Sequence, residues 1–320
     1  MNGWLFRQGL VGLMALILIT LIPSGLPEPV TAQTGTVGFA SAVPCLNNDI
    51  SMAATCFADT IYAPVQANDP ALVRVTLGGA KQPLAPIGAT VGGIHQRIAA
   101  NSGIGSVYGL AYDDGATSGI RRLFAAAFTR RFTSYGPLGP GGVYEYRFND
   151  GQWYGSFVVP DAGVDRPNSD RDDTAILSRV GTSSLGDMEI SPDGETLYIM
   201  NLAAKRIERY DITQPAPRRL DPVPVPLHLI SVNARFQVQL QPFALEFAPN
   251  PQSATGEMQL FVGITYTARP NGEPHAYVLA WSIKSNSWHL ALNQPLVISV
   301  FNKRFAGSTY LDVLKKDKVE

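Results

Sequence analysis

Charge is scarce in this chain. Only 16% of its 320 residues are Asp, Glu, Lys or Arg, against roughly 25% in an ordinary soluble domain. The 25 basic residues balance 26 acidic ones, for a net charge of −1. No basic excess is available to neutralise a phosphate backbone, which excludes nucleic acid as a partner. Disorder needs low hydrophobicity and high net charge; here 45% of residues are apolar. Histidine is nearly absent. His95, His228, His275 and His289 stand far apart, with no metal-ligand partner at short spacing, and read as surface or structural residues. The chain also lacks G-x-S-x-G, H-E-x-x-H, a P-loop, and G-x-G-x-x-G in a strand–helix context. Gly139, Gly141 and Gly142 stand in a loop and read as turn geometry. Ser183 and Ser184 lie beside Asp187 but have no neighbouring His, so they read as a Ser-rich turn before a strand. No catalytic residue is assigned, and the chain is read as non-enzymatic.

Long hydrophobic runs are equally rare, apart from one at the N-terminus. Arg7 precedes an apolar run, Leu10 to Ile22, of the length of a signal-peptide core and short for a membrane span. Pro23, Gly25 and Pro27 then break any helix, and Val30-Thr31-Ala32 places small residues before a cut at Gln33. Residues 1–32 are therefore read as a signal peptide and the chain as exported. An uncleaved anchor is the alternative, and the one route to a membrane. Only two cysteines occur, Cys45 and Cys56, with ten residues between them. In an oxidising compartment they read as a disulfide staple on a loop, with two free thiols as the alternative.

Glycine (30) and proline (24) are plentiful, which predicts frequent turns and a β protein. After a polar lead-in over residues 33–57, short apolar runs of strand length alternate with turns. Thr60 to Val65 and Leu72 to Leu77 come first. Val107 to Tyr112, Leu123 to Phe128, Val143 to Phe148 and Tyr154 to Val159 form a group of four, with Asp113-Asp114-Gly115 as a turn. A second copy starts at Asp187, turns at Ser191-Pro192-Asp193-Gly194, and continues through Leu197 to Met200 and Arg206 to Ile212. A third runs through Phe243 to Phe247, Met258 to Tyr266, Ala276 to Ile283 and Trp288 to Leu292. Residues 160–180 and 213–242 read as connectors, the second rich in proline. Repeated four-stranded units predict an all-β fold, a β-propeller built of four-stranded blades over residues 58–312, with 313–320 as a charged tail. A pair of β-sandwiches is the rival fold.

Three blocks carry a resemblance. Val107-Tyr-Gly-Leu-Ala-Tyr-Asp with Leu123-Phe-Ala-Ala-Ala-Phe and Gly136-Pro-Leu-Gly-Pro-Gly-Gly-Val-Tyr is the first. The second runs from Leu185-Gly-Asp-Met-Glu-Ile through Ser191-Pro-Asp-Gly to Leu202. The third joins Pro242-Phe-Ala-Leu, Leu260-Phe-Val-Gly-Ile and Ala276-Tyr-Val-Leu-Ala-Trp. In this order, over residues 58–300, they resemble a family of secreted bacterial β-propeller modules found at the N-terminus of large surface proteins with collagen-adhesin-type B repeats. The resemblance implies export and a propeller fold. It also implies further blades and repeats, whereas this sequence ends at Lys315-Lys-Asp-Lys-Val-Glu320. That departure is read as a ring that closes differently, or as a truncated product with an incomplete C-terminal end.

Two loops are candidates for binding. Asp161, Asp165, Asn168, Asp170, Asp172 and Asp173 fall within thirteen residues. Oxygen-rich loops of this kind can wrap Ca²⁺, with Asp165, Asn168, Asp170 and Asp172 as ligands; a solvated loop neutralised by Arg166 and Arg171 is the alternative. No other cofactor is indicated. The loop Phe128-Thr-Arg-Arg-Phe-Thr-Ser-Tyr135 combines Arg and aromatic side chains, the residues that favour interface hot spots. Arg130, Arg131, Phe132 and Tyr135 are its candidate ligand contacts, with a partly buried insertion as the alternative. The sequence thus predicts a secreted or cell-surface binding or scaffold module whose partner is an extracellular protein or a glycan. A hydrolase or lyase using the central funnel, and a structural spacer or remnant of a larger surface protein, are the alternatives.

Overall fold

The computed structural model describes residues 51–55, 70–76, 95–130, 133–164, 176, 178–232, 237–250, 253, 256–266 and 275–295. The signal segment, both cysteines and the charged tail lie outside them. The chain divides into two compact units, Met1–Asn101 and Ser102–Glu320.

The first unit contains one antiparallel sheet of three strands in sequence order: β1 (Ser51–Thr55), β2 (Pro70–Thr76) and β3 (His95–Ala100). Thr55 pairs with Leu72, and Val75 with His95. Its buried apolar residues include Ala71, Leu72, Val73 and Ala99. The stretch read as a lead-in therefore ends in a strand, and His95–Ala100 is a strand that its polar start concealed.

Among the described residues, the second unit contains three four-stranded antiparallel sheets. The first holds β4 (Val107–Asp113), β5 (Arg122–Ala127), β6 (Gly142–Arg147) and β7 (Gln152–Val158). The second holds β8 (Leu185–Ile190), β9 (Thr196–Asn201), β10 (Arg206–Asp211) and β11 (Arg218–Pro224). The third holds β12 (Leu240–Pro249), β13 (Met258–Tyr266), β14 (His275–Ser282) and β15 (Ser287–Pro295). In each sheet the strands lie side by side in sequence order, joined by hairpins. The sheets stack face to face, which is the architecture of propeller blades.

The stacking explains strands that are apolar without alternation. In β9, Leu197 and Ile199 pack toward the first blade, with Phe124, Ala126 and Val143. Tyr198 and Met200, on the opposite face, pack toward the third blade, with Leu245, Leu260, Val262 and Trp281. A strand buried on both faces needs apolar residues at every position.

The first strand of each blade carries the same irregularity. A register shift falls between Val107 and Leu110 in β4, between Leu185 and Met188 in β8, and between Pro242 and Ala244 in β12. A glycine sits at this bend in β4 and β8. A Cβ on Gly109 would meet the Gly186 carbonyl oxygen of the next blade at 2.4 Å, and one on Gly186 would meet that of Phe243 at 2.9 Å. The glycines of the two resembling blocks thus serve close packing of the first strands.

The turns follow their chemistry. In Ser191-Pro192-Asp193-Gly194, Gly194 has φ +74°, and the Thr196 amide donates to Ser191 Oγ at 2.9 Å. The Asp193 carbonyl accepts the Thr117 hydroxyl at 2.9 Å, tying this turn to the hairpin of the preceding blade.

One expectation is corrected. The proline-rich stretch 213–242 contains β11, the fourth strand of the second blade. Proline is tolerated there because β11 is an edge strand with one side unpaired. Pro222 falls where the β10–β11 register shifts, and Pro224 pairs with Arg206 at the strand's end.

Candidate functional site

The sequence-predicted contacts are only partly described. Arg131 and Phe132 lie outside the described residues; Arg130 and Tyr135 are half-buried. The Tyr135 and Thr129 hydroxyls share a hydrogen bond of 2.5 Å. The Thr129 hydroxyl and amide both donate to the buried Ser184 hydroxyl, at 3.0 and 2.6 Å. Tyr135 also bridges Gly105 through the backbone. Tyr135 is thereby fixed to the seam between the first two blades, and Ser184 is a seam residue. Asp165, Asn168, Asp170 and Asp172, and Cys45 and Cys56, lie outside the described residues. Asp161 is described and pairs with Arg206 at 3.0 Å. Among the described residues, no group of three or more His, Cys, Asp or Glu side chains could hold a metal ion.

A different aromatic and basic group comes together on the first blade. Tyr112, Leu123, Tyr146 and Trp153 are paired in register across its four strands. They share the face opposite Ala111, Phe124 and Val143, which pack against the second blade. Leu123 is buried, while Tyr112 is 50% exposed. The row continues into the turn after β6, where Phe148 is 43% exposed. Its ring meets Tyr112 and Tyr146 edge-on, at centroid distances of 5.8 and 5.1 Å; Tyr146 contacts Trp153 at 5.3 Å. Tyr146 and Trp153 are half-buried, and adjoining aromatic surface exposed at Tyr112 and Phe148 marks a binding site more often than scattered single residues do.

Arg121 completes this shelf. Its guanidinium lies over the Phe148 ring, 5.5 Å from the centroid, and its Nε donates to the Tyr112 hydroxyl at 3.3 Å. The Phe148 amide donates to the Arg121 carbonyl at 3.0 Å, fixing one backbone against the other. No carboxylate forms an ion pair with Arg121 among the described residues. Arg147, by contrast, is engaged on the other side of the sheet. It pairs with the buried Glu145 at 2.6 Å and covers the Tyr154 ring. Tyr154 donates its hydroxyl to Asp150 at 2.8 Å. That bond holds the Asp150 carboxyl below its usual range and raises the Tyr154 phenol.

A second group lies at the seam of the second and third blades. Asp187 and Glu189 lie on β8, and Glu246 on β12. Asp187 accepts the Leu245 amide of β12 at 3.3 Å. Burial pushes the Glu189 carboxyl up to about 8, with the negative charges of Glu246 and then Asp187 adding to the shift. Burial also raises Glu246. Glu189 is thus largely protonated at neutral pH.

No family model matches the chain. It is 26% identical over 174 residues to Colossin-D of Dictyostelium discoideum, a match covering 51% of this chain and 18% of that protein. Likenesses to solved structures include the periplasmic gluconolactonase of Pseudomonas aeruginosa, at 17% identity and TM-score 0.31, over 60% of this chain and 41% of that one. An auxiliary nutrient binding protein of Bacteroides thetaiotaomicron gives 11% identity and TM-score 0.37, over 71% and 42%. A Lactobacillus plantarum protein gives 8% identity and TM-score 0.39, over 78% and 68%. The fold assignment rests on strand order and on the stacking of the sheets. No helix among the described residues is long and apolar enough to cross a membrane.

Proposed function

We propose that the protein is a non-catalytic, exported β-propeller module that binds an extracellular partner through the aromatic shelf of its first complete blade. The observation that carries this is the shelf itself: four rings in contact, two of them at least 43% exposed, beside an oriented guanidinium. Rigid aromatic and Arg side chains supply most of the binding energy where proteins recognise partners. A propeller blade holds them on strands and short turns, so little ordering entropy is lost on binding. The signal-like segment at 1–32 supports export, and the match to 18% of a longer protein supports a module of a larger protein. The test is a glycan and extracellular-protein array probed with the full mature chain and with Tyr112→Ser/Phe148→Ser. Signals lost in the variant support the proposal; signals identical in both contradict it.

Glu189 favours a second reading, a hydrolase. A carboxyl still protonated near pH 7 can act as a general acid. Its neighbours are two further carboxyls and a backbone amide, so a protonated acid stands beside carboxylates, the pair of groups that glycoside hydrolysis uses. Turnover of lactone or glycoside substrates by the chain, abolished in Glu189→Gln, would establish it.

A further inference from the structure

We infer that the shelf takes an acidic carbohydrate, with sugar rings lying on Tyr112 and Tyr146 and one carboxylate seated on Arg121. This rests on the proposed binding role of the same shelf and adds the chemistry of the ligand.

The guanidinium decides the charge. Its Nε is held by the Tyr112 hydroxyl and its face by Phe148, which leaves the Nη edge to bind. A planar fork of this kind matches a carboxylate in bidentate fashion. It is oriented before the ligand arrives, so few rotamers are lost on binding.

The number of charges limits the ligand further. Arg147 is engaged by Glu145 on the opposite face, and Arg122 is buried against Asp113. Among the described residues, the shelf therefore offers one available cation to more than one ring. Such a ratio suits a polymer with fewer carboxylates than sugars, and does not suit a dense polyanion, which needs many cations in a row.

The placement of the rings separates sugar from peptide. An extended peptide binds by adding a strand to a sheet edge, where main-chain N–H and C=O groups are unpaired. Here the rings stand on the pleated face of a sheet whose inner strands β5 and β6 are paired on both sides. That face presents rings, one hydroxyl–guanidinium pair and no main-chain ladder. Flat apolar faces bordered by a polar group are what a pyranose ring, with its C–H face and rim of hydroxyls, can cover.

The experiment titrates the full mature chain with hyaluronan, which carries one carboxylate per two sugars, with the same polymer after carboxyl reduction, and with an acidic protein such as casein. The inference predicts saturable binding of hyaluronan that weakens with added salt. It predicts at least about tenfold weaker binding to the reduced polymer and to Arg121→Gln, the loss expected for a hydrogen bond to a charged group. Arg121→Lys recovers only part of the affinity, because an ammonium cannot form the fork. Equal binding of the reduced polymer overturns the acidic ligand while leaving the shelf as a binding site. Preference for the acidic protein overturns the carbohydrate. Failure of Tyr112→Ser/Phe148→Ser to affect any of the three ligands overturns the shelf and the inference together.

Discussion

Arg122 of β5 and Asp113 of β4 form an ion pair of 2.7 Å with both side chains shielded from solvent. The same guanidinium donates to the Ile212 carbonyl of the following blade at 2.6 Å. One side chain therefore closes the turn Asp113-Asp114-Gly115 and joins two blades. In sequence, Asp113 read as a turn residue; its buried partner nine positions on gives it a second role.

Removing one member of such a pair leaves a buried charge unpaired, which typically costs about 3–5 kcal/mol. Arg122→Met is expected to lower unfolding stability by that order, measured by urea denaturation. Arg122→Met with Asp113→Leu should recover much of the loss, since the uncompensated charge is gone. A single variant as stable as the wild type would remove the ion pair from the account.

The bend in the first strands predicts a steric effect. Gly109→Ala places a methyl group 2.4 Å from a backbone oxygen of the next blade, so one strand must shift. The expected loss is about 1–3 kcal/mol. Gly103→Ala, exposed in the short helix Asn101–Ile104 and with nothing within 4 Å of its Cβ, should leave stability unchanged or raise it by up to about 1 kcal/mol. Equal effects of the two would show that the inner strands do not pack as described.

Glu189 predicts a pH dependence. Its carboxyl is raised from 4.5 to about 8 in the folded protein, so between those values the folded state holds a proton that the unfolded state has lost. The associated stability is fully present below about pH 4.5 and is lost as pH rises through about 8. Glu189→Gln keeps the neutral form at every pH. It should raise the melting temperature at pH 8 and flatten its decline between pH 5 and 8. Parallel curves for wild type and variant would contradict this.

The Cys45–Cys56 disulfide remains an expectation from spacing and compartment. Mass spectrometry of exported, non-reduced protein should find the two joined, with reduction costing about 2–3 kcal/mol in the chain-entropy account. Two free thiols would contradict it.

The fold was largely legible where turn chemistry and apolar runs coincide. Asp113-Asp114-Gly115 and Ser191-Pro192-Asp193-Gly194 bracket strands found within a few residues of their predicted bounds. Strand β11 was concealed by Pro222 and Pro224, which an edge strand accepts and a central one does not. Strand β3 was concealed by His95, Gln96 and Arg97. The shelf was not legible, although the sequence suggested that Arg and aromatic side chains form the contact surface. Tyr112, Arg121, Tyr146, Phe148 and Trp153 are scattered along the chain, and only the register that sets Tyr112, Tyr146 and Trp153 in one row unites them. Glu189 meets Glu246 only because two blades stack.

The most direct test of the account is the dissociation constant of an array-selected ligand for wild-type chain and for Tyr112→Ser/Phe148→Ser, taken with the unfolding midpoint of each. Because Tyr112 and Phe148 are 50% and 43% exposed, truncating them should change stability little. The account predicts affinity at least about tenfold weaker, the loss of one or more hot-spot side chains, at an unchanged midpoint. Unchanged affinity, or a loss that merely follows a lowered midpoint, would contradict a binding role for the shelf.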